Sequence, residues 1–148
     1  MAAETKPEPS AETPAAHPAD EPRGTLSIRT LAMPSDTNPS GDIFGGWLLS
    51  QMDIAGGEMA YERAQGRIAT VAVEAMKFHL PVFVGDMLCC YGEIVRIGRT
   101  SIAVRVEAWA LRRQPRERVK VTEGIFTYVA VDEDRRPRPI AGNEESGG

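Results

Sequence analysis

From Ile43 to Gly57 the chain reads Ile-Phe-Gly-Gly-Trp-Leu-Leu-Ser-Gln-Met-Asp-Ile-Ala-Gly-Gly, and Asp53 is its only charged side chain. Two periodicities run through this stretch at once. Leu48, Met52, Ala55 and Met59 recur at the spacing of a helix that buries one face. Gly46, Ser50, Asp53 and Gly57 recur at i, i+4, i+7 and i+11, a second stripe of small side chains with a carboxylate in its middle. The spacing predicts a helix from about Phe44 to Ala64, entered through Asp42 as N-cap and the Gly45-Gly46 pair. A helix facing water carries Lys and Glu on its outer side, so this one is expected to be covered nearly all round. Interior glycines cost about 1 kcal/mol each relative to alanine, and something must offset that cost. Asp53 then has two readings. It is a buried carboxylate satisfied by a backbone donor or an arginine, or one that a thin ligand or second backbone can reach because Gly46, Ser50 and Gly57 leave room.

Upstream, Thr25 to Ala32 reads as a short strand, and Met33 to Gly41 is turn chemistry leading into the helix. After Gly66 the period changes to two. Strands are expected at Ile68 to Phe78, Met87 to Ile97, Thr100 to Leu111 and Arg118 to Val131. The first of these should alternate, with Val71, Val73 and Ala75 on one side and Ala72, Met76 and Phe78 on the other. Gly98-Arg99 reads as a tight hairpin, and Arg112 to Glu117 as a polar loop. In the third strand Ile102, Val104, Val106, Ala108 and Ala110 line one face against Arg105, Glu107 and Trp109, so its outer side is half solvated or faces a partner. A strand, one helix and four long strands joined by short turns make an α+β domain: a single antiparallel sheet with the helix on its face. Strands of ten or more residues should curl around that helix. What they leave uncovered must be closed by a second copy or remain as a ligand channel, so an oligomer is expected.

Charge supports this division. The formal net charge is -4, yet residues 25–140 carry 15 basic and 14 acidic side chains, and the imbalance sits in the ends. Residues 1–24, rich in Ala, Pro and Glu, and residues 141–148 are expected to be disordered tails flanking one domain over 25–140. Between Arg96 and Lys120 eight Lys or Arg stand against two Glu, a candidate anion-binding surface. Adjacent Cys89 and Cys90 point to opposite faces of a strand, so they neither pair nor share a metal, and no metal site is expected. Reduced cysteines, no secretory signal and no apolar run of membrane-spanning length suggest a cytoplasmic protein without a membrane partner. Nine aromatics in 148 residues are sparse for stacking bases, which argues against nucleic acid as a partner.

Several segments in order resemble the YciA-type acyl-CoA thioesterases of the hotdog-fold superfamily. They are Leu31 to Asn38, Gly41 to Trp47 with Ser50 to Asp53, Phe78 with Pro81 and Gly85-Asp86, Cys89 to Tyr91, Gly98 to Ser101, and Phe126 to Asp132. The resemblance covers about residues 25–135. It implies a long helix wrapped by a five-stranded antiparallel sheet, a homodimer as functional unit, and a trimer of dimers. It implies hydrolysis of acyl-CoA at the dimer interface, with CoA as part of substrate and product and no separate cofactor. By position, the family's helix Asp falls on Asp53 and its loop acid on Asp42, contributed by opposite subunits. Relatives tend to carry Lys or Arg directly before the strand proline, where this chain has Leu80 preceded by His79.

Thioester hydrolysis needs a water made nucleophilic and a place for the charge that develops on the carbonyl oxygen. Asp53 is the expected general base, or else the nucleophile, in an apolar site that would strengthen a carboxylate as a base. The backbone N–H groups of Gly45 and Gly46, at the positive end of the helix, are the expected oxyanion hole. Asp42 is either an N-cap or the group that orients water or substrate from the other subunit. Arg99, Thr100 and Ser101 are expected to hold the CoA phosphates, with Arg112, Arg113 and Lys120 on the same basic surface. Val73 and Phe78 are expected to line the acyl or pantetheine passage. Two rivals are weighed against this reading. A hydratase would need a catalytic histidine, for which only His79 is placed; a non-enzymatic module would bind acyl-CoA or nucleic acid without hydrolysis.

Overall fold

The computed structural model describes residues 21–143; the expectations for residues 1–20 and 144–148 lie outside the described residues. The helix, α1, spans Gly45–Ala64, and five strands follow the expected order: β1 Thr25–Leu31, β2 Ile68–Phe78, β3 Met87–Ile97, β4 Ser101–Arg113 and β5 Arg116–Ala130. They form one antiparallel sheet in the order β1-β3-β4-β5-β2, so β1 and β2 are its two free edges. Leu48, Met52 and Ala55 of α1 are buried against Val104, Val106, Phe126 and Tyr128 of the sheet. This is the apolar stripe read from the sequence, and Met59 packs at its margin.

The glycine cost in the helix has a counterpart at one position. A Cβ on Gly56 would sit 2.5 Å from the Tyr128 hydroxyl and 3.1 Å from Val106, so only glycine lets α1 lie this close to β4 and β5. The cap differs from the expectation. Phe44, in an extended conformation with no side-chain hydrogen bond, is the N-cap, and Asp42 lies two residues outside the helix. Here the backbone anchors the entry instead: the N–H of Phe44 donates to the carbonyl of Asp36, and that of Ile43 to the carbonyl of Val82. The helix stops at Gln65 in the left-handed region, whose N–H returns to the carbonyl of Tyr61.

Four other expectations are corrected. The helix is not covered all round within one chain, because Gly46, Ser50, Ile54 and Tyr61 are exposed. The polar segment Arg112 to Glu117 is not a loop. Arg112 pairs with Glu117 and Arg113 with Arg116, and the ladder continues to a tight turn at Gln114-Pro115, since backbone pairing needs no apolar side chains. Regular alternation in β2 is broken by register shifts between Thr70 and Ala72 and between Glu74 and Lys77, with Ala75 at a positive φ. Nor is the outer side of β4 half solvated throughout: Glu107 and Trp109 are each 2% exposed. The Trp109 ring nitrogen donates to Glu107 at 2.9 Å, Lys120 approaches the same carboxylate at 3.4 Å, and the N–H of Arg23 covers it at 3.2 Å.

Within the spans read as tails, Arg23 and Asn143 are both hydrogen-bonded to the domain. The Asn143 side chain donates to the carbonyls of Ile97 and Gly98, and the N–H of Ile140 donates to the carbonyl of Arg99. Ile140 is fully buried.

Candidate active site

Asp53 is half-buried on the open side of α1. Its Oδ1 accepts from the Thr70 hydroxyl at 2.9 Å and from the Tyr128 hydroxyl at 3.1 Å, and the Tyr128 hydroxyl also lies 3.0 Å from the Asp53 carbonyl. The setting is therefore polar, not the apolar one expected. Oδ2 takes no hydrogen bond among the described residues. Neither partner was visible in the sequence, because they stand 17 and 75 positions away and local spacing carries no trace of them. Burial pushes the Tyr128 hydroxyl well above its ordinary range, and the charge and hydrogen bond of Asp53 push it further. It therefore stays protonated and acts as a donor, holding Oδ1 in place while Oδ2 keeps no hydrogen bond among the described residues. Replacing Tyr128 by Phe should remove that tether at a cost of about 1 kcal/mol in stability. Turnover should fall by about tenfold with KM nearly unchanged, because small misplacements of a reacting group are costly. Steady-state kinetics beside thermal unfolding separates the two effects.

At the other end of the stripe, the N–H groups of Gly45 and Gly46 have no acceptor among the described residues, whereas those of Trp47 and Leu48 bond to the Phe44 carbonyl. No side chain crowds Gly45. A cavity of about 320 Å³ opens there, walled by Gly45, Leu48, Phe78, Leu80 and Val82, with His79 at its rim. Phe78, 58% exposed, is thus brought to the helix N-terminus, while Val73 stands on the free edge of β2 away from this wall. The Asp42 carboxylate is exposed and bonds to nothing described; only its backbone is used, in a ring of hydrogen bonds with Asn38. Along the helix, Gly45 and Asp53 are eight residues apart, about 12 Å of rise. One chain therefore does not bring its own Asp42, Gly45 and Gly46 to its own Asp53.

The basic residues divide into two groups. Arg99, Thr100 and Ser101 lie at the β3–β4 turn, beside the C-terminal end of α1, where Arg138 donates to the carbonyl of Ala64. Arg112 and Arg113 lie at the opposite end, with Arg112 donating to the carbonyl of Pro81 at 2.5 Å and Arg113 to that of Gly85. Ser101 and Arg112 are eleven residues apart on β4, about 36 Å at a strand's rise, so the single basic surface expected from the sequence does not exist. Charges within the second group are also committed: Arg112 pairs with Asp86 at 3.4 Å, and Lys120 with Glu123 at 2.9 Å and Glu107 at 3.4 Å. The His79 ring nitrogen Nε2 is held by Glu123 at 2.9 Å. Burial raises the Glu123 carboxyl, but hydrogen bonds from Lys120 and His79 outweigh it and hold the group below the usual carboxylate range. Cys90 faces the core, with its thiol pushed up to about 12 by burial, and Cys89 faces the other side of the sheet. Among the described residues no three His, Cys, Asp or Glu converge as metal ligands, and no helix is long and apolar enough to cross a membrane.

Comparison with known proteins gives this geometry a family. Residues 40–115 match the model of the thioesterase superfamily. The acyl-CoA thioester hydrolase YciA of Salmonella typhimurium is 54% identical over 122 residues, covering 80% of this chain and 92% of its own. A hexameric thioesterase of Yersinia pestis superposes with a TM-score of 0.80 at 50% identity, covering 83% of this chain and 100% of that one. A hexameric hotdog-fold thioesterase of Campylobacter jejuni superposes with a TM-score of 0.76 at 43% identity, covering 80% of this chain and 91% of that one. With the helix, the five-stranded sheet and these matches in agreement, the chain belongs to the YciA-type acyl-CoA thioesterases of the hotdog-fold thioesterase superfamily.

Proposed function

We propose that this chain hydrolyses acyl-CoA to free CoA and a carboxylic acid, by carboxylate-assisted attack of water at a site completed by a second copy of itself. The observation that carries the reading is Asp53: a carboxylate oriented by two hydroxyls, on an exposed face of small residues, beside an unpaired sheet edge. Water attacks the thioester carbonyl carbon and gives a proton to Oδ2 of Asp53. The N–H groups of Gly45 and Gly46 from the other copy receive the charge on the carbonyl oxygen; the C–S bond then breaks as the proton on Oδ2 passes to the departing sulfur, which releases CoA as its thiol and returns Asp53 to its carboxylate. Asp42 from that same copy orients the water. CoA is both substrate moiety and product, and no further cofactor takes part.

The missing surface is supplied by dimerisation through β2. Val71 and Val73 on that strand are 56% and 39% exposed, and a free edge carrying apolar side chains is a template for pairing. Thr70, which holds Asp53, lies on the same strand. Two antiparallel copies would also bring the Arg99 to Ser101 turn of one chain toward the Gly45 end of the other, which is how Arg99 would reach CoA phosphates bound at that cavity. Three such dimers make the proposed hexamer. Replacing both Val71 and Val73 by Lys should shift the assembly to monomers by light scattering and abolish turnover of an acyl-CoA panel followed by free-thiol release. An active monomer would refute the shared site.

A further inference from the structure

The face of the sheet turned away from α1 carries a cavity that the thioester chemistry does not use. Its volume is about 490 Å³, within the range of small-ligand sites. Cys89 and Trp109 on its floor alternate along their strands with Cys90, Ala108 and Ala110, which belong to the core under the helix, so the sheet separates this cavity from Asp53. Around it stand Arg29 of β1 and Arg116 and Arg118 of β5, against one carboxylate, Glu117. None of the three arginines forms an ion pair among the described residues, whereas their neighbours Lys120, Arg112 and Arg23 are paired with Glu107 and Glu123, Asp86 and Glu93. Three arginines without a carboxylate partner therefore stand around one hollow, and Arg118 is also hydrogen-bonded to Tyr91 in its lining. Arg118 lies over the Trp109 ring at 5.7 Å, which fixes its guanidinium at the wall. Burial raises the Cys89 thiol and the charges of Arg29 and Arg118 oppose it, which places both guanidiniums close to the floor.

We propose that this cavity is a second anion site, taking a phosphate-bearing ligand the size of a nucleoside diphosphate, separate from the thioester-cleaving site. Guanidinium forks match phosphate oxygens bidentately, and three of them lining one hollow exceed what solubility of a surface requires. The ligand is a free nucleotide; the nucleotide end of CoA carries the same phosphates, and an unchanged KM for acyl-CoA excludes it.

The test uses the full chain, with ADP as probe and inorganic pyrophosphate for comparison, measured by titration calorimetry. ADP should bind saturably, and Arg29→Ala and Arg116→Ala should each weaken it by about tenfold or more, the loss expected for a charge-assisted contact. Both variants should keep the wild-type KM for acyl-CoA and the wild-type assembly mass. Arg118→Lys, which keeps the charge beside Trp109 but not the fork, guards against a folding defect and should weaken ADP less than Arg116→Ala. Absence of ADP binding, or binding indifferent to these substitutions, overturns the proposal. A KM for acyl-CoA that rises in step with the loss of ADP makes the hollow part of the substrate site, and a changed assembly mass makes it a contact between copies; either result overturns it as well.

Discussion

Replacing Asp53 by Asn is expected to lower turnover of acyl-CoA by about 10² to 10⁴, the range for loss of a positioned general base. Asparagine keeps the shape of the side chain, and its oxygen can still accept from the Thr70 and Tyr128 hydroxyls. What it cannot do is take the proton of the attacking water. Fold and assembly should therefore survive, so the loss reads chemistry rather than stability. The fall should lie in kcat, with KM changed little, because ground-state contacts to CoA are made elsewhere. Free-thiol release across acyl chain lengths gives the rate, and light scattering with thermal unfolding confirms the assembly. Near-normal turnover in this variant would end the mechanism, and binding of CoA without hydrolysis by the wild-type chain would favour a non-enzymatic module instead.

The second expectation concerns the partnership of Asp42 and Asp53. If each site joins Asp53 of one copy to Asp42 of the other, Asp42→Ala and Asp53→Ala are each nearly inactive alone. Unfolded together in equal amounts and refolded, they should recover about a quarter of wild-type activity, since random pairing of a two-fold dimer makes half of the dimers mixed and each mixed dimer has one complete site. No such recovery is possible if both carboxylates act within one chain, because every site would then lack one of them. Activity that stays at the level of the separate variants, with mixed assemblies demonstrated by mass, would refute the shared site.

Much of the domain was legible beforehand for a simple reason. Burial imposes a period, and the stripes of Leu48, Met52 and Ala55 and of Ile102 through Ala110 kept theirs, so the helix and the succession of strands along the chain could be read directly. Errors fell where backbone hydrogen bonding, not burial, decides. The ladder runs through the charged residues 112–117, and β2 loses its alternation at two register shifts. The Asp42 cap failed similarly, since the entry to α1 is tied by carbonyls of Asp36 and Val82 that no capping pattern records.

By itself the sequence determined that one helix with a single central carboxylate lies under a long-stranded antiparallel sheet, because side-chain polarity and spacing are one-dimensional information that survives in the chain. Only the tertiary structure decided who holds Asp53, which of its oxygens is held, and that Arg99 and Arg112 stand at opposite ends of the sheet. Thr70, Tyr128 and the edge position of β2 come together through contacts between segments far apart in sequence, and their geometry exists only once the sheet has closed on the helix.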